Sequence, residues 1–495
     1  MEEISSLLAV RRKKLDQLRE LGVNPYANDF RVEHTFDQIN TKYADATLEA
    51  LEGSKDSYTV AGRVMAVRSF GKAAFLALQD RTGKLQVFVQ KNSIGDESFT
   101  VFKLMDLGDI IGITGTPFRT KTGELTLHAT SFRLLTKSLH PLPEKWHGLT
   151  DTETRYRQRY VDLIVNPKVA QIFRTRAAII QGIRDYLNQR AFLEVETPML
   201  HPIAGGAAAR PFTTHHNTLD MDLFLRIAPE LHLKRLLVGG LERVYEINRN
   251  FRNEGISIKH NPEFTMLEFY WAYATYEDLI QLTENLIGGI AKSIIGDYKI
   301  SYQGQTLDFT PPWRRMTPAQ AIAEHTDFTV EKLSTREGLM EAAKTFHIDK
   351  AESMPDGKLI MEIFETVAED KLIQPTFLVD FPIEVSPLAR KKESNPALTD
   401  RFELYVAGRE IANAFSELND PIDQKERFEA QLKAREAGDD EAHVMDEDYV
   451  RALEFGMPPA AGEGIGIDRL TMLFTDSASI REVILFPLLR HQQNP

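Results

Sequence analysis

The stretch RNFRNEGISIKHNPEFTMLEFY, from Arg249 to Tyr270, predicts two β-strands joined by a loop. Two turn signals, Gly255 and the Asn261-Pro262 pair, mark the loop. Side chains of a strand alternate between its faces, so one face of the second strand carries Phe264, Met266, Glu268 and Tyr270. The opposite face carries Thr265, Leu267, Phe269 and Trp271. Because both faces are largely apolar, the sequence predicts a strand buried within a sheet.

Three charged residues in this stretch need partners. Arg252 has a planar, permanently charged fork that suits a phosphate or a carboxylate, and Glu254 can hold that fork or bind a ligand's amino group. Glu268 lies on the buried strand, where an unpaired carboxylate costs several kcal/mol. Its partner is either a core arginine or a cationic ligand, and the residues alone leave both possibilities open.

This stretch resembles the second signature motif of the class II aminoacyl-tRNA synthetases, and the strings RNFRNEG and HNPEFT resemble those of the lysyl-tRNA synthetases. The resemblance extends from about Tyr58 to Arg490. It continues, in the family's order, through GGAAARPF (Gly205–Phe212), LRIAPELHLKRLLVGG (Leu225–Gly240), GREIANAFSELND (Gly408–Asp420) and GIGIDRL (Gly464–Leu470).

The resemblance implies an α+β fold with two domains. The first is a five-stranded OB-fold barrel, and the second is a class II synthetase catalytic domain in which helices flank an antiparallel sheet. The predicted boundaries are a helical extension over 1–57, an OB-fold anticodon-binding domain over 58–140, a linker over 141–154 and a catalytic domain over 155–495, with a helical insertion at about 317–356. Turn formers at Pro141, Pro143 and Gly148 mark the linker.

The barrel is also indicated by the residues themselves. Between Tyr58 and Thr136 the sequence shows five short alternating strands with turn signals between them, a pattern typical of a small Greek-key barrel that binds unpaired bases. The resemblance implies that Phe75 stacks on an anticodon base. It also implies contacts with base edges by Arg68, Gln86 and Glu124. On its pattern alone, Phe75 is most simply a core residue.

Composition narrows the class of protein. The 495 residues are 42% hydrophobic and 26% charged, as in an ordinary globular protein. With no cysteine, the chain has no disulfide, thiolate zinc site or cysteine nucleophile. No apolar run approaches the roughly 18 to 20 residues of a membrane span, and the N-terminus carries no secretory signal, so we expect a cytoplasmic protein with no membrane association.

A net charge of -13 is unusual for a protein that binds nucleic acid, but the positive charge is concentrated near the N-terminus. The cluster Arg11, Arg12, Lys13 and Lys14 opens a predicted helix. These four residues form either a solvated helix face or part of a tRNA-binding surface.

Carboxylates are dense around residue 408. A turn at Ala407-Gly408 would pair Tyr405 with Glu410 and leave Glu403 and Glu410 on one face. Such a pair suits Mg2+, which prefers one or two carboxylates together with water and substrate phosphates, although solvated glutamates would show the same pattern. Alternation places Asn413 and Glu417 on the face opposite Glu410, so a β-bulge is needed to bring all three to one site.

The activity implied by the resemblance is ATP-dependent activation of L-lysine to lysyl-adenylate, followed by transfer to the 3′ end of tRNA(Lys). Catalytic roles are implied for Arg252, His260 and Arg469. ATP binding is implied for Arg252, Glu254, His260, Phe264 and Arg469, and Mg2+ binding for Glu403 and Glu410. Lysine binding is implied for Gly206, Glu230, Glu268, Tyr270, Asn413 and Glu417.

A homodimer is implied by the predicted helix over 167–190 and the strand that precedes Pro198, which resemble the family's first motif. A plain core helix would show the same periodicity.

Two positions depart from the family pattern. Ala414 replaces a frequent glycine, and Glu463 replaces a bulky apolar residue. Glu463 could alter substrate choice or point to the surface, and we expect the surface.

Two alternative functions remain open at this level. One is an aspartyl- or asparaginyl-type ligase of the same subclass, although such an enzyme needs cationic groups around its substrate side chain and Glu268, Tyr270 and Glu417 offer the opposite polarity. The other is a non-catalytic RNA- or lysine-binding paralogue. Lysine-dependent exchange between ATP and pyrophosphate separates these alternatives from a lysine ligase.

Overall fold

The computed structural model describes residues 2–143, 149–436 and 444–490. The chain divides into two compact units, Met1–Thr150 and Asp151–Pro495. Part of the predicted linker, including Gly148, lies outside the described residues. Among the helices of the described segments, none has both the length and the apolar content that crossing a bilayer requires.

The first unit is a closed five-stranded barrel with flanking helices. Its helices are α1 (Glu2–Glu20), α2 (Phe36–Lys42), α3 (Leu48–Leu51), α4 (Lys91–Ile94) and α5 (Asp96–Leu104). Its strands are β1 (Tyr58–Phe70), β2 (Ala73–Gln79), β3 (Lys84–Gln90), β4 (Ile110–Arg119) and β5 (Leu125–Thr136). The strand order is β1-β2-β3-β5-β4, in which only β3 and β5 run parallel.

Alternation along the barrel strands separates the core from the outer face. On β2, Ala74, Leu76 and Leu78 are buried in the barrel core, whereas Phe75 faces outward and is only partly buried. The interpretation of Phe75 as a core residue is therefore wrong. The OB-fold predicted from short alternating strands is confirmed.

Half of the basic cluster on α1 is used within this unit. Arg11 is buried and donates hydrogen bonds to the backbone oxygens of Leu107 at 3.0 Å, Ser138 at 3.1 Å and His140 at 3.0 Å. Lys14 pairs with Asp106 at 2.6 Å, while its neighbours Arg12 and Lys13 are exposed. A solvated helix face therefore describes Arg12 and Lys13 but not Arg11, which fastens α1 to the barrel.

The second unit is built on an eight-stranded sheet of order β14-β15-β18-β19-β20-β11-β10-β6. The sheet is antiparallel except at its edges, where β14 runs parallel to β15 and β6 runs parallel to β10. The strands of this unit are β6 (Leu193–Glu194), β7 (Leu200–His201), β8 (Thr213–His216), β9 (Met221–Leu225), β10 (Arg243–Phe251), β11 (Glu263–Ala272), β12 (Lys299–Tyr302), β13 (Gln305–Asp308), β14 (Arg314–Met316), β15 (Thr376–Val379), β16 (Lys391–Lys392), β17 (Asn395–Thr399), β18 (Arg401–Tyr405), β19 (Glu410–Ser416) and β20 (Ala460–Gly466).

This unit also contains α-helices, some of which pack on each face of the sheet. They are α6 (Thr152–Arg157), α7 (Arg159–Val165), α8 (Pro167–Asn188), α9 (Glu230–Val238), α10 (Tyr276–Ile295), α11 (Pro318–His325), α12 (Val330–Leu333), α13 (Arg336–Thr345), α14 (Asp356–Val367), α15 (Pro421–Glu436), α16 (Glu447–Glu454), α17 (Ile467–Phe474) and α18 (Ile480–Val483). The α+β prediction is confirmed.

The main core lies between the sheet and helices α8, α10 and α17. Leu267 and Phe269 of β11 are fully buried in it, together with Ile183 of α8 and Leu286 of α10. Burial of this kind contributes about 1.5 to 3 kcal/mol for each large apolar side chain. The opposite face of β11 lines a cleft. Alternation along this strand therefore places core residues on one face and candidate site residues on the other.

Helices α11 to α14 form a separate packed layer with its own core, which includes Ile322, Leu339 and Phe364. This helical segment continues past the predicted 317–356 through the end of α14 at Val367. Its core also takes in Tyr405 of β18, which places the layer against the strand that carries Glu403.

Candidate active site

A cavity of about 490 Å³ opens over the central strands β11, β19 and β20. All four residues predicted to share a face of β11 line it, namely Phe264, Met266, Glu268 and Tyr270. It is also lined by the predicted site residues Gly206, Glu230, Arg252, Glu254, His260, Glu410, Asn413 and Arg469. Two predicted site residues, Glu403 and Glu417, do not line the cavity and are buried beside it.

Glycines on β20 let the side chains of neighbouring strands pack close to its backbone. The register of β11 with β20 sets Glu268 opposite Gly464 and Tyr270 opposite Gly462. A Cβ on Gly462 would overlap with the Tyr270 ring and the Glu417 carboxylate, and one on Gly464 would lie 2.9 Å from the Met266 side chain. Close packing therefore requires glycine at position 462.

Arg252 and Phe264 mark one region of the cleft. The guanidinium of Arg252 lies 5.0 Å from the centre of the Phe264 ring, which is a cation–π contact. The backbone N–H of Arg252 donates to the carbonyl of Pro262 at 2.9 Å and so ties together the two ends of the loop between β10 and β11. Within the described residues, the buried Nε of Arg252 has no hydrogen-bond partner. A buried cationic donor of this kind is suited to an anionic ligand.

Arg469 links the start of α17 to two other predicted site residues. Its Nη1 donates to the backbone oxygen of Glu410 at 2.6 Å and to the Glu410 carboxylate at 3.2 Å. Its Nη2 lies 3.3 Å from Nε2 of His260, whose Nδ1 lies 3.0 Å from the Ser257 hydroxyl. Desolvation and the neighbouring positive charge of Arg469 lower the pKa of His260, which favours the neutral imidazole.

A β-bulge at Ile411 brings Glu410 to the cleft. Tyr405 pairs with Glu410 as predicted, but Leu404 pairs with Ala412, so Ile411 is an extra residue on β19. The bulge lets both Glu410 and Asn413 line the cavity. The sequence indicates that such a bulge is needed, but alternation alone does not place it.

The two carboxylates predicted to hold magnesium are near each other but are already engaged by protein groups. Glu403 accepts hydrogen bonds from Arg401 at 2.5 Å and from the Tyr405 hydroxyl at 2.7 Å. Burial raises the pKa of Glu403, Arg401 opposes that rise, and the negative charge of Glu410 adds to it. In the described segments, no three carboxylate or imidazole side chains converge to hold a metal by themselves. Glu410 lines the cavity and suits Mg2+ that also binds phosphate and water, whereas Glu403 is buried beside the cavity and would first have to release Arg401 or Tyr405.

The acidic residues predicted to bind lysine cluster at another region of the cleft. Tyr270 donates a hydrogen bond to Glu268 at 3.1 Å. Burial, followed by the negative charge of Glu230, raises the pKa of Glu268 to about 8 and that of Tyr270 well above its usual value. Gly206 has a φ of +89°, and a Cβ there would lie 3.2 Å from Glu230. The structure thus places Gly206 beside Glu230, as their shared predicted role requires.

Lys234 was not identified from the sequence. It is fully buried on α9 and forms ion pairs with Glu230 at 2.6 Å and with Glu417. Burial raises the pKa of Glu417 to about 8, and Lys234 opposes that rise. The spacing of Glu230 and Lys234, four residues apart on a predicted helix, is the sequence signal that could have indicated this pair.

Arg401 was also missed, and it holds two predicted residues. Its Nε donates to the Asn413 amide oxygen at 3.1 Å, and its Nη2 donates to Glu403. Its Nη1 donates to the Ser386 hydroxyl at 2.9 Å, and its guanidinium lies 4.4 Å from the centre of the Phe381 ring. These contacts orient the Asn413 side chain within the cleft.

Glu463 is buried, so the expectation that it points to the surface is wrong. It lies on the helix-covered side of β20, opposite Phe269 on β11 and Ala414 on β19. Both of its carboxyl oxygens lie 2.7 Å from the hydroxyl of Thr283 on α10. Burial raises the pKa of Glu463 to about 8, so it is largely a neutral acid at pH 7.

The residues predicted to contact the anticodon lie on the barrel of the first unit. Strand register sets Arg68 of β1 beside Phe75 of β2, Phe75 beside Phe88 of β3, and Phe88 beside His128 of β5. The rings of Phe75 and Phe88 are 4.8 Å apart, and those of Phe88 and His128 are 5.5 Å apart.

The two remaining residues of the predicted anticodon set, Gln86 and Glu124, lie on β3 and just before β5. Gln86, two residues from Phe88 on β3, donates to the Thr126 hydroxyl at 2.8 Å. Glu124 is exposed in the turn before β5. Phe88 and His128, which the sequence reasoning missed, continue the row and could have been found by extending the alternation from Phe75.

Comparison with known proteins assigns both units. Residues 151–490 match the family described as tRNA synthetases class II (D, K and N), and residues 58–135 match the OB-fold nucleic acid binding domain. The lysine–tRNA ligase of Carboxydothermus hydrogenoformans is 55% identical over 99% of this chain and 99% of its own length. The lysine–tRNA ligases of Pelotomaculum thermopropionicum and Bacillus subtilis are each 55% identical over 99% of this chain, and over 96% and 98% of their own lengths.

The chain therefore belongs to the class II tRNA synthetases of the D, K and N group. Within that group its relatives are lysine–tRNA ligases, and its activity is the ATP-dependent ligation of lysine to tRNA. These findings favour lysine over an acidic or amide substrate and an enzyme over a non-catalytic paralogue.

Proposed function

We propose that the cleft activates L-lysine with ATP, and that the buried acids at one region of the cleft select lysine by its positive charges. The observation that carries this proposal is the set of buried carboxylates around Tyr270. Within the described residues, no cationic side chain is hydrogen-bonded to Glu268, and Oε1 of Glu417 has no hydrogen-bond partner. Buried acids in this state are suited to a cationic ligand.

Each end of the amino acid then has complementary groups. Gly206 and Glu230 bind the α-amino group, while Glu268, Tyr270 and Glu417 surround the side-chain ammonium. The unpartnered Nε of Arg252 supports binding of the lysine carboxylate and the α-phosphate by this guanidinium, with Asn413 assisting. The three acids of this region outnumber the lysine that pairs with two of them, so an aspartate side chain would be repelled, and an asparagine side chain would bring no positive charge to balance the acids.

The adenosine part of ATP fits the opposite region of the cleft. Phe264 offers a ring face and Arg469 a planar cation, so we propose that they stack on the two sides of adenine. Glu254 and His260 line the same region and contact the adenine and phosphate ends. Desolvation and Arg469 lower the pKa of His260 in the ligand-free protein, which favours a neutral imidazole that can hydrogen-bond to ATP.

Catalysis in this arrangement rests on positioning and charge neutralisation. The lysine carboxylate oxygen forms a bond to the α-phosphorus of ATP, the bond to the bridging oxygen breaks, and pyrophosphate leaves with that electron pair. Arg252 holds both reacting groups and neutralises negative charge that develops on the α-phosphate. The tRNA ribose hydroxyl then attacks the lysyl carbonyl, the bond from the carbonyl carbon to the phosphate oxygen breaks, and AMP leaves with that electron pair while its phosphate takes up the hydroxyl proton. Neither step requires a nucleophile from the protein.

Magnesium would be held by Glu403 and Glu410 together with phosphate oxygens. The metal would supply positive charge to the phosphates that become pyrophosphate. Glu410 lines the cleft and is paired with Arg469 in the ligand-free protein. When ATP and Mg2+ bind, this carboxylate would contact the metal in place of Arg469.

The barrel face binds the anticodon of tRNA(Lys) in this proposal. Phe75 stacks on an unpaired base, and Arg68, Gln86 and Glu124 contact base edges. The outward position of Phe75 and its ring contact with Phe88 support a stacking surface.

We also propose that the enzyme is a cytoplasmic homodimer. Exposed apolar side chains on and near β6 to β9 support an interface, since Leu193, Leu200 and Leu219 are 51%, 46% and 64% exposed. Sedimentation of the purified chain tests this, and a monomer at micromolar concentration would contradict it.

Exchange of labelled pyrophosphate into ATP, run with each of the twenty amino acids, tests the proposed chemistry. We expect exchange with lysine alone and loss of that exchange in Glu417→Gln. Glu454→Gln changes an exposed glutamate on α16 and serves as the matched control that keeps normal exchange. Exchange with aspartate, or none with any amino acid, would contradict the proposal.

A further inference from the structure

Lys234 joins the two carboxylates that the proposed function assigns to opposite ends of lysine. Its ammonium is fully buried, lies 2.6 Å from Oε1 of Glu230 and contacts Oε2 of Glu417. Glu230 lines the cleft, but Lys234 does not, so this lysine lies behind the acids as seen from the cavity. The ring of Phe415, which lines the cleft, lies 5.2 Å from the same ammonium.

Each of the two acids thus has one oxygen engaged by Lys234 and another that is not. In the described part of the chain, Oε1 of Glu417 has no hydrogen-bond partner and lies against Gly462 and Tyr270. The two ion pairs of Lys234 restrain the rotation of both carboxylates, because a single ammonium stays within hydrogen-bonding distance of both only if neither carboxylate turns away.

We infer that Lys234 is a positioning residue that sets the distance between the α-amino and side-chain ammonium subsites, and thereby the side-chain length that the enzyme accepts. This inference rests on the proposed roles of Glu230 and Glu417. Lys234 acts through those acids and does not touch the substrate.

The charges of the site support this role. Three buried carboxylates, those of Glu230 and Glu268 in the cleft wall and Glu417 beside it, accompany a substrate with only two ammonium groups. Lys234 supplies the third positive charge at a place the substrate cannot reach. Without it, one carboxylate would remain uncompensated when lysine binds, and that acid would be protonated or would move toward the substrate.

A purely structural role is the alternative, because Lys234 also ties α9 to the end of β19. Loss of a structural tie would lower stability and would reduce activity with every amino acid by a similar factor. If Lys234 instead sets the distance between the two subsites, its loss would change the preference among amino acids whose side chains differ in length. Lysine and ornithine, which differ by one methylene, distinguish the two roles.

The experiment measures kcat and KM for lysine and ornithine in ATP–pyrophosphate exchange. Lys234→Arg keeps the charge but replaces a compact ammonium with a longer planar fork, and Lys234→Met removes the charge at similar volume. One methylene accounts for roughly 10- to 200-fold discrimination in a fitted pocket. We expect the preference for lysine over ornithine to fall at least about 10-fold in Lys234→Arg, mainly through a higher KM for lysine.

Lys137→Met is the matched control. Lys137 is also fully buried between two carboxylates, Asp106 and Asp109, but it lies in the first unit. This variant should keep the wild-type preference. If Lys234→Arg folds and both substrates lose kcat/KM by the same factor, or neither loses any, the inference is wrong. Failure of the wild-type protein to exchange with lysine would instead refute the proposed function, so the two failures are distinguishable.

Discussion

Glu268 lies directly opposite Gly464 in the antiparallel pair of β11 and β20. Both residues line the cleft, and the Glu268 side chain is only 5% exposed. A buried acid that faces a cavity is explained by a cationic ligand that occupies the cavity, and this relationship connects the fold to lysine recognition.

Glu268→Gln should weaken lysine binding about 10- to 100-fold, because a hydrogen bond to a charged group contributes about 1.5 to 3 kcal/mol. ATP binding, measured separately by calorimetry, should stay close to the wild-type value. Equal weakening of lysine and ATP would show that the substitution disturbs the whole cleft and not the cation subsite.

Gly462→Ala should abolish lysine-dependent exchange, since the added Cβ would overlap with Tyr270 and Glu417. Gly289→Ala on α10 is the matched control, because no atom lies within 4 Å of a Cβ there. The control should keep full exchange and gain up to about 1 kcal/mol of stability from better helix propensity. Normal exchange in Gly462→Ala would mean that this part of the cleft does not bind substrate.

Lysine affinity should rise as the pH increases from 6 to about 8. The pKa of Glu268 is raised to about 8 in the ligand-free protein, so this acid is largely protonated at pH 6. Binding an ammonium requires its charged form and must release a proton, which strengthens binding by up to about 10-fold per pH unit. Calorimetry in two buffers of different ionisation enthalpy measures that release, and its absence would contradict the assignment.

Glu463→Gln should make stability less dependent on pH. The pKa of Glu463 is raised from 4.5 to about 8 by burial, so the folded state binds a proton more tightly than the unfolded state. Its stabilising contribution is complete below pH 4.5 and is lost as the pH rises through 8. The thermal unfolding midpoint of the wild type should therefore fall further between pH 6 and 9 than that of the glutamine variant. Parallel falls in both proteins would show that Glu463 does not titrate in this range.

Phe88→Ala should weaken tRNA binding without affecting amino-acid activation. Its ring contacts both Phe75 and His128 on the barrel surface, and stacking on a base contributes about 1 to 3 kcal/mol. The KM for tRNA in aminoacylation should rise about 5- to 100-fold, while exchange without tRNA stays unchanged. Tyr26→Ala removes an exposed ring outside the row and should have no effect on either assay.

The strand pattern of the sequence was sufficient to predict the cleft face of β11. Period-two alternation is a local property, so Phe264, Met266, Glu268 and Tyr270 were assigned to one face without knowledge of the rest of the sheet. The barrel followed from the same reasoning. The α+β class and the identity of the second domain came from the resemblance to the class II synthetases.

The features that alternation could not predict depend on contacts between distant segments. The bulge at Ile411 is defined by pairing with β18, and the burial of Glu463 depends on Thr283 across the sheet-helix interface. Lys234 reaches Glu417 from a helix far away in the sequence. In each case the partner is set by tertiary packing, which the local sequence pattern does not encode.

The central claim is that buried carboxylates recognise the positive charge of the lysine side chain. Equilibrium binding of lysine and of norleucine, which lacks the side-chain ammonium, tests it most directly in the wild type and in Glu417→Gln. We predict that the wild type binds lysine at least about 100-fold more tightly, and that the variant loses most of this difference. Equal affinity of the wild type for the two amino acids would contradict the account.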